Sequence, residues 1–379
     1  MGPLEGKRII EIAGIGPGPF CAMLLADLGA EVIRVDRAST VPEEIPDSPN
    51  LDLLNRGRSS IGVDLKAPKG VETVLKLVEK SDALIEGFRP GVAERLGIGP
   101  DVCLLRNPKL IYGRMTGWGQ NGTYSSMAGH DINYIALSGV LGMIGREGEK
   151  PVPPVNLIGD FGGGGMLLAL GICAALVEVA ESERGQVIDA AMTDGSALLA
   201  TMVHSFKAMG IWGDRGTNLL DTGAPFYDVF ECADGQYISI GSIEPQFYSE
   251  LLRIIGLEKS GNLKQMDRAN WAEMKSKISD SIRGKTRKEW EGLMEGTDVC
   301  FAPVLSIDEA YEHPHNKERQ TFIEIAGTMQ PAPAPRFSRT PSSVASPPPH
   351  AGQHTDQVLI DSGFTTDEIA LLKEEKIIK

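Results

Sequence analysis

The chain contains 379 residues, of which 42% are hydrophobic and 23% are charged, a composition typical of a globular protein with room for two domains. A net charge of -14 argues against a general nucleic-acid-binding protein. The charge is uneven, because residues 1–114 carry 15 basic against 16 acidic side chains, whereas residues 115–379 carry 22 against 35. The cations of the N-terminal third are therefore either solvated surface or a site for a phosphate-bearing ligand.

Short apolar strands alternate with helices over residues 1–209, a pattern that predicts a large α/β domain with a parallel sheet. The predicted strands are 7–12, 31–35, 60–64, 83–85, 110–114 and 186–189. The predicted helices are 19–28, 68–79, 131–137, 166–180 and 191–209. The fourth strand ends in the loop 86–91, and open α/β sheets bind ligands beyond the carboxyl ends of their strands.

A glycine-rich loop, Gly14-Ile-Gly16-Pro-Gly18, follows the first strand and partly matches a dinucleotide-binding fingerprint, with Asp36 near the position of the ribose-binding acid. The match is poor, because Pro19 stands where the third glycine should fall and two prolines stiffen the loop. We therefore expect these glycines to serve a tight turn rather than a nicotinamide or flavin site.

The composition changes after residue 209, and the pattern predicts a linker at 210–224 and a smaller α+β domain at 225–320. A hairpin signal lies between strands 226–232 and 236–240, and capping boxes begin helices after Thr286 and Ser306. Seven prolines within 331–349 indicate an extended return linker over 321–350. Residues 351–379, with a helix capped at Thr365, are expected to pack back on the large domain.

Five cysteines lack pairwise spacing, and their odd number, together with the lack of a signal peptide, predicts reduced thiols in the cytoplasm. No zinc-ligand pattern is present, so we expect no metal site. The longest apolar run, 166–177, is too short to span a bilayer, and it predicts a core helix and no membrane association. The last three residues do not form a peroxisomal signal.

His130 follows Gly129 at the start of the predicted helix 131–137. A lone histidine is more often structural than catalytic. At a helix N-terminus, however, the dipole disfavours imidazolium and keeps the ring neutral and basic. His130 is thus a candidate base, and the adjacent Asp131 is expected to be an N-cap or a first-turn acid.

Asp160 stands at another predicted helix start, where an aspartate can be merely an N-cap. Four glycines, 162–165, follow it, although glycine costs about 1 kcal/mol in a helix interior relative to alanine. Such a cluster indicates close approach of the backbone to another group. We expect N–H groups there to bind a developing oxyanion.

Glu244 precedes a helix in the smaller domain, either as a structural acid or as a carboxylate that orients His130. An imidazole and a carboxylate on opposite sides of one carbon, such as His130 and Asp160, make a two-base proton shuttle. The intermediate is an enolate, so the substrate needs a carbonyl group and an acidic α-hydrogen.

Six segments, in this order, resemble the family III CoA-transferase superfamily and, within it, the α-methylacyl-CoA racemases. Each segment is weak alone, but together they are specific and cover nearly the whole chain. They are LADLGAEVIRVD (25–36), EGFRPG (86–91), GHD (129–131), GDFGGGG (159–165), GQVIDAAM (185–192) and GSIEPQF (241–247).

The resemblance implies a Rossmann-like large domain, a smaller α+β domain and an interlocked homodimer. Each active site would then lie between the large domain of one chain and the small domain of the other. By the same resemblance, His130 and Asp160 are the two catalytic bases, and Glu244 supports His130.

The resemblance also implies how the substrate is held. The phosphates and adenine of CoA would meet Arg37, Lys66 and Arg89, and Tyr134 would lie near the pantetheine. No cofactor is implied, because CoA is part of the substrate.

Two activities remain open within the superfamily. Racemases epimerise C2 of 2-methylacyl-CoA thioesters, whereas the transferases use an aspartate in a similar glycine-rich context as a nucleophile. Asp160 fits both activities, but His130 and Glu244 favour the racemase. A non-catalytic CoA-binding scaffold is the third alternative, and the presence of all three candidate groups argues against it.

Overall fold

The structure is a computed structural model that describes residues 2–260 and 264–379. The strands are β1 (Arg8–Ile12), β2 (Glu31–Arg37), β3 (Arg58–Val63), β4 (Ala83–Glu86), β5 (Ile111–Thr116), β6 (Gln186–Ala191), β7 (Tyr227–Glu231), β8 (Tyr237–Gly241), β9 (Phe301–Pro303), β10 (Phe322–Ile325) and β11 (Thr328–Pro331). The helices are α1 (Pro17–Asp27), α2 (Pro68–Val78), α3 (Val92–Leu96), α4 (Pro100–Arg106), α5 (Asp131–Leu137), α6 (Val140–Met143), α7 (Leu167–Ser182), α8 (Met192–Leu199), α9 (Thr201–Ala208), α10 (Pro245–Ile254), α11 (Trp271–Ile282), α12 (Arg287–Met294), α13 (Ile307–Glu312), α14 (Pro314–Arg319), α15 (Thr355–Asp361) and α16 (Thr366–Glu374).

Strands β1 to β6 form one parallel sheet in the order β3-β2-β1-β4-β5-β6, which confirms the predicted parallel α/β sheet. The chain builds outward from β1 to β3 and then crosses back to β4 on the other side of β1. This reversal opens a crevice beyond the carboxyl ends of β1 and β4, where doubly wound sheets bind ligands. The loops that follow these two strands therefore border the expected site.

Residues of the central strands alternate between two buried cores, one on each face of the sheet. Ile10 and Ile33 face a core closed by α2, α15 and α16, whereas Ile9 and Val32 face a core closed by α1 and α7. Complete burial of such a side chain contributes about 1.5–3 kcal/mol. The two buried cores therefore fix the sheet, and the sheet fixes the start of each loop at the carboxyl ends of its strands.

The described chain divides into two compact units. The larger unit comprises residues 2–138, 155–199 and 317–379, and the smaller unit comprises 139–154 and 200–316. The domain boundaries predicted at 209 and 320 differ from this division. Residues 139–154 and 200–209 group with the smaller unit, and residues 317–320 group with the larger one.

The smaller unit contains an antiparallel sheet of β7, β8 and β9, and this confirms the predicted hairpin. Helices α10, α11 and α12 contribute to its separate apolar core. The buried carboxylate of Asp228 pairs with Arg146 at 3.0 Å and with Lys275 at 3.1 Å. These ion pairs tie the stretch 139–154 to the sheet.

Asp160 lies inside a π-helical segment, Leu157–Met166, that runs directly into α7, rather than at the predicted helix start. A Cβ on Gly163 would come 2.6 Å from the backbone of α8, and one on Gly165 would come 2.6 Å from the backbone of α1. The glycines therefore let three helical elements pack closely. Neighbouring helices bury Gly163, Gly164 and Gly165, and the expected oxyanion role of the four glycines stays a prediction.

The π-helical segment and α7 form a continuous helical stretch, Leu157–Ser182, of 26 residues, and an 18-residue window within it has a mean hydropathy of 1.9. Its length and composition alone are sufficient to cross a membrane, and 44% of its apolar window is buried in the structure. The sequence pattern missed this length, because the glycine cluster hid the helical continuity. Core helices of soluble proteins meet the same criterion, so the stretch is weak evidence for a membrane span.

The C-terminal region contacts the larger unit through specific polar groups. Strands β10 and β11 form a hairpin inside the predicted return linker. Arg56 Nη1 donates to Gln330 Oε1 at 3.0 Å and to the Pro331 carbonyl at 2.7 Å, and its Nη2 pairs with buried Asp27 at 2.6 Å. Helices α15 and α16 then complete one of the two cores.

Other predicted elements agree with the structure, with exceptions that include the unpredicted short helices α6 and α14. The capping boxes at Thr286, Ser306 and Thr365 are confirmed. The sequence does not predict the short helices α3 and α4, and the predicted helix 191–209 is two helices, α8 and α9.

Candidate active site

The loop between β1 and α1 lies against the carboxylate of Asp160. Gly16 has a φ of 68°, a conformation that favours glycine, and a Cβ there would lie 3.0 Å from Asp160 Oδ2. Pro17 begins α1, where the missing N–H costs no helical hydrogen bond. The predicted tight turn is therefore an incomplete account of Gly16, which also makes room for the carboxylate.

Asp160 is half-buried and held by hydrogen bonds on two sides. Asn156 Nδ2 donates to Asp160 Oδ2 at 3.0 Å, and the Asp160 backbone N–H donates to Asp131 Oδ1 at 2.7 Å. Burial raises the pKa of Asp160 above its ordinary value. The Asn156 hydrogen bond and His130 lower it, whereas the charge of Asp131 raises it further. A raised pKa suits a carboxyl group that must both take and return a proton.

Asp131 is a member of the site and more than a first-turn acid. The residue is only 6% exposed, its Oδ1 accepts the Asp160 N–H, and its Oδ2 has no hydrogen-bond partner among the described residues. Burying such an oxygen unpaired costs about 1–3 kcal/mol. A Cβ on Gly159 would lie 2.3 Å from Asp131 Oδ1, so glycine is needed where the two segments meet.

His130 is exposed and precedes α5 as its N-cap residue, which confirms the predicted helix start. Its backbone N–H donates to Asn133 Oδ1 at 3.1 Å. The buried Tyr134 donates its hydroxyl to the Gly129 carbonyl and packs edge-on against Trp118, with ring centroids 4.7 Å apart. A Cβ on Gly129 would come 2.7 Å from the Tyr134 ring, so the tyrosine supports the backbone that carries His130.

His130 and Asp160 line one cavity of about 700 Å³, which we call the acid–base cavity. It lies at the carboxyl ends of β1 and β4, and Gly16, Tyr134 and Asn156 also line it. The chain therefore brings together an imidazole and a carboxylate that stand thirty positions apart in the sequence. Neither Asp131 nor Asn156 is identified by a sequence signal of its own.

A larger cavity of about 980 Å³, which we call the basic cavity, adjoins the first and shares Ile12, Ala13, Arg37 and Phe88 with it. Five cations and three carboxylates line the basic cavity, so its net charge is positive. Typical small-molecule pockets measure about 300–1,000 Å³. The two cavities together therefore suit a long ligand with an anionic end.

The three cations predicted to bind CoA all lie in these cavities. Arg37 lines both, Lys66 lines only the basic cavity, and Arg89 lines only the acid–base cavity. Their side chains are exposed, and none has a hydrogen-bond or ion-pair partner within residues 2–260 and 264–379. All three are therefore available to a ligand.

The loop that carries Arg89 is braced by buried Glu86. One carboxylate oxygen of Glu86 accepts the Phe88 N–H at 2.6 Å, and the other accepts Arg114 Nε at 3.0 Å. Burial raises the pKa of Glu86, and these two partners lower it. Glu86 therefore shapes the loop and lines neither cavity.

Glu244 belongs to the smaller unit and stands at the N-cap of α10. Its carboxylate is exposed and makes no capping hydrogen bond. Gln265 Nε2 holds the loop instead, by donating to the carbonyls of Ser242 at 3.1 Å and Ile243 at 2.8 Å. Side-chain capping therefore does not explain Glu244.

No group of three or more His, Cys, Asp or Glu side chains is arranged to hold a metal ion in the part of the chain that the structure describes. The cysteines there, Cys21, Cys103, Cys173, Cys232 and Cys300, are unpaired.

The fold and the site define a doubly wound α/β protein with an acid–base cavity beside a basic one. The chain belongs to the CoA-transferase family III, whose family model matches residues 4–355. It is 48% identical to a mouse (Mus musculus) alpha-methylacyl-CoA racemase and 44% identical to the human (Homo sapiens) one, over 99% of this chain and 97% of each relative. A crystal structure of a CAIB/BAIF family protein from Brucella suis is similar in fold, with a TM-score of 0.82 and 25% identity over 95% of this chain and 99% of that one.

Proposed function

We propose that the protein is an isomerase that interconverts the C2 epimers of 2-methylacyl-CoA thioesters. The observation that carries this proposal is the placement of His130 and Asp160 in one cavity beside a basic cavity. The similarity to racemases over nearly the whole chain supports it.

The proposed reaction is a 1,1-proton transfer. One of the pair, His130 or Asp160, takes the proton from C2, and the C–H electrons move into the thioester carbonyl to form an enolate. The other group gives a proton to the opposite face of C2. The raised pKa of Asp160 lets its carboxyl group act in both directions near neutral pH, because the acid and the base forms are then closer in energy.

Arg37, Lys66 and Arg89 bind the CoA phosphates and adenine in this proposal. Charge-assisted contacts from unpaired cations are the strong way to hold phosphate. The buried Tyr134 lines the acid–base cavity, but its hydroxyl is used by the Gly129 carbonyl. We therefore assign Tyr134 an apolar contact with the pantetheine, in addition to its support of the His130 loop.

The active form in this proposal is an interlocked homodimer, in which Glu244 of the partner subunit orients His130. Met166, Leu170 and Val177 are 53%, 64% and 72% exposed along one helical stretch. Isolated chains rarely leave such an apolar stripe uncovered, which supports a second copy as its partner. The Glu244 carboxylate is exposed and makes no capping hydrogen bond, which supports its role at a site shared between chains.

The proposed reaction only removes one proton from C2 and returns another, so it needs no metal and no cofactor. The unpaired cysteines support a reducing compartment, and we place the protein in the cytoplasm, away from nucleic acid and membrane.

The alternative is a CoA-transferase in which Asp160 attacks the thioester. Its support is the position of the Asp160 carboxylate in a cavity against Gly16. In D₂O, a single epimer of a 2-methylacyl-CoA separates the two activities. We expect deuterium to appear at C2, which mass spectrometry measures. We also expect conversion to the other epimer, which chiral chromatography measures. No exchange, together with transfer of CoA to an added carboxylate, would replace the racemase with the transferase.

A further inference from the structure

Residues 373–379, which we call the C-terminal segment, begin in the last turn of α16 and extend the main sheet beside the basic cavity. Ile378 forms an antiparallel bridge with Val63 of β3. The Asp64 N–H donates to the Ile377 carbonyl at 2.8 Å, and the Lys379 N–H donates to the Gly62 carbonyl at 3.1 Å. Strand β3 is at the edge of the sheet, so this segment covers an edge that would otherwise be open.

The register brings cations from three parts of the chain to one place. Arg37 at the end of β2 pairs with Val63 at the end of β3, and Val63 pairs with Ile378. Arg37 is itself one of these paired residues. Lys66 lies shortly after Val63 in the chain, and Lys376 lies shortly before Ile378. All three cations line the basic cavity. The C-terminal segment therefore adds a cation to a site built by the carboxyl ends of two strands.

Three lysines of the C-terminal segment line the basic cavity, and two of them already have partners. Lys373 pairs with Asp356 at 2.6 Å, and Lys379 Nζ donates to the Val41 carbonyl at 2.9 Å. The side chain of Lys376 has neither a hydrogen-bond nor an ion-pair partner within the ranges 2–260 and 264–379. Lys376 is thus the tail cation that remains available to a ligand.

The backbone at Lys376 favours a different residue type. Its φ is 58°, in the left-handed region just beyond α16, where helices commonly end with glycine. The Ile377 N–H closes the helix end by donating to the Leu372 carbonyl at 2.9 Å. Because glycine suits this conformation better than lysine, local folding does not account for a lysine here.

We propose that Lys376, together with Lys66, binds the 3′-phosphate of CoA from the C-terminal segment. This inference rests on the proposed CoA thioester substrate. Arg37 lines both cavities and so suits the diphosphate, which lies closer to the thioester along CoA. Lys66 and Lys376 line only the basic cavity, farther from His130 and Asp160, and so suit the terminal 3′-phosphoadenosine.

The test is calorimetric titration of the full chain with CoA and with 3′-dephospho-CoA. Lys376→Gly removes the charge and keeps the left-handed backbone, so its melting temperature should not fall below that of the unmodified protein. We expect it to bind CoA about tenfold more weakly, the scale of one charge-assisted contact, and to bind 3′-dephospho-CoA unchanged. Lys376→Arg should retain CoA binding.

The matched control is Lys109→Gln, which removes the same charge from an exposed lysine that precedes β5 and lies outside both cavity linings. We expect it to bind both ligands as the unmodified protein does. Equal CoA affinity of Lys376→Gly and the unmodified protein would overturn the inference, as would an equal loss for both ligands. Failure of the unmodified protein to bind CoA at all would instead overturn the proposed substrate, and the inference with it.

Discussion

The acid–base cavity and the basic cavity differ in how their functional groups are held. In the acid–base cavity, Asp160 is fixed by Asn156 and Asp131, and buried Tyr134 supports the loop of His130. In the basic cavity, Arg37, Lys66 and Lys376 are exposed and lack partners within the described ranges of the chain. We infer that the first cavity is built to position reacting groups and the second to attract and hold charge.

This difference predicts which kinetic constant each cavity controls. Proton transfer requires alignment to within a fraction of an ångström, and tight packing provides that alignment. Phosphate binding requires only reach and charge, which flexible cations provide. Variants of the proton-transfer groups and their supports should therefore change kcat, and variants of the phosphate-binding cations should change KM.

The largest effect is expected when one of the two proton-transfer groups is removed. His130→Ala and Asp160→Asn should each lower kcat for epimerisation at least about 10²-fold, the usual scale for a general acid–base group. Circular dichroism should show an intact fold. His204→Ala, at an exposed histidine of α9 outside both cavity linings, is the control. Unchanged turnover of His130→Ala would remove His130 from the mechanism.

A smaller effect should follow when the packing around Asp160 is disturbed. In Gly16→Ala, the new methyl group meets Asp160 Oδ2 and the backbone is strained, so kcat should fall about 10- to 100-fold. Gly6→Ala imposes the same kind of left-handed backbone strain (φ of 82°) with nothing within 4 Å and outside both cavity linings, and it should leave kcat nearly unchanged. Equal kcat values for both alanine variants would show that close packing does not position Asp160.

Loss of one phosphate-binding cation should raise KM rather than lower kcat. Arg37→Gln and Arg89→Gln should each raise KM for the acyl-CoA about tenfold and change kcat less, because one charge-assisted contact is lost. Steady-state kinetics at fixed ionic strength measure both constants. An unaltered KM in both variants would place the CoA site elsewhere.

The smallest effect is a shift in pH dependence. The negative charge of Asp131 raises the pKa of Asp160, so Asp131→Asn should lower it. When Asp160 acts as the base, kcat/KM falls as pH drops through this pKa. The acid limb of the pH profile should therefore move to lower pH in Asp131→Asn and stay in place in the exposed Asp101→Asn. A limb that stays fixed in both variants would exclude Asp131 as a modulator of Asp160.

The sequence predicts the strands and helices of the parallel sheet better than it predicts the contacts between distant segments at the site. Alternating strands and helices identify the parallel sheet, and the N-cap position of His130 follows from its neighbours. These features depend on residues close together in the chain, where side-chain periodicity is informative.

The contacts of Asp160 depend on segments that are distant in sequence. The π-helical segment has no residue pattern of its own, and the glycines after Asp160 serve approaches to α1 and α8. Asp131 resembles an ordinary first-turn acid until the fold brings it to the Asp160 N–H. Likewise, nothing near Lys376 in the sequence shows that β3 lies beside it.

The central claim is that His130 and Asp160 face opposite sides of C2. The most direct test incubates each pure epimer in D₂O with His130→Ala and, separately, with Asp160→Asn, and measures deuterium at C2 by mass spectrometry. Each variant retains one base, so we predict exchange into one epimer only, and the opposite epimer for the other variant. If both variants exchange the same epimer, the two groups do not act on opposite faces.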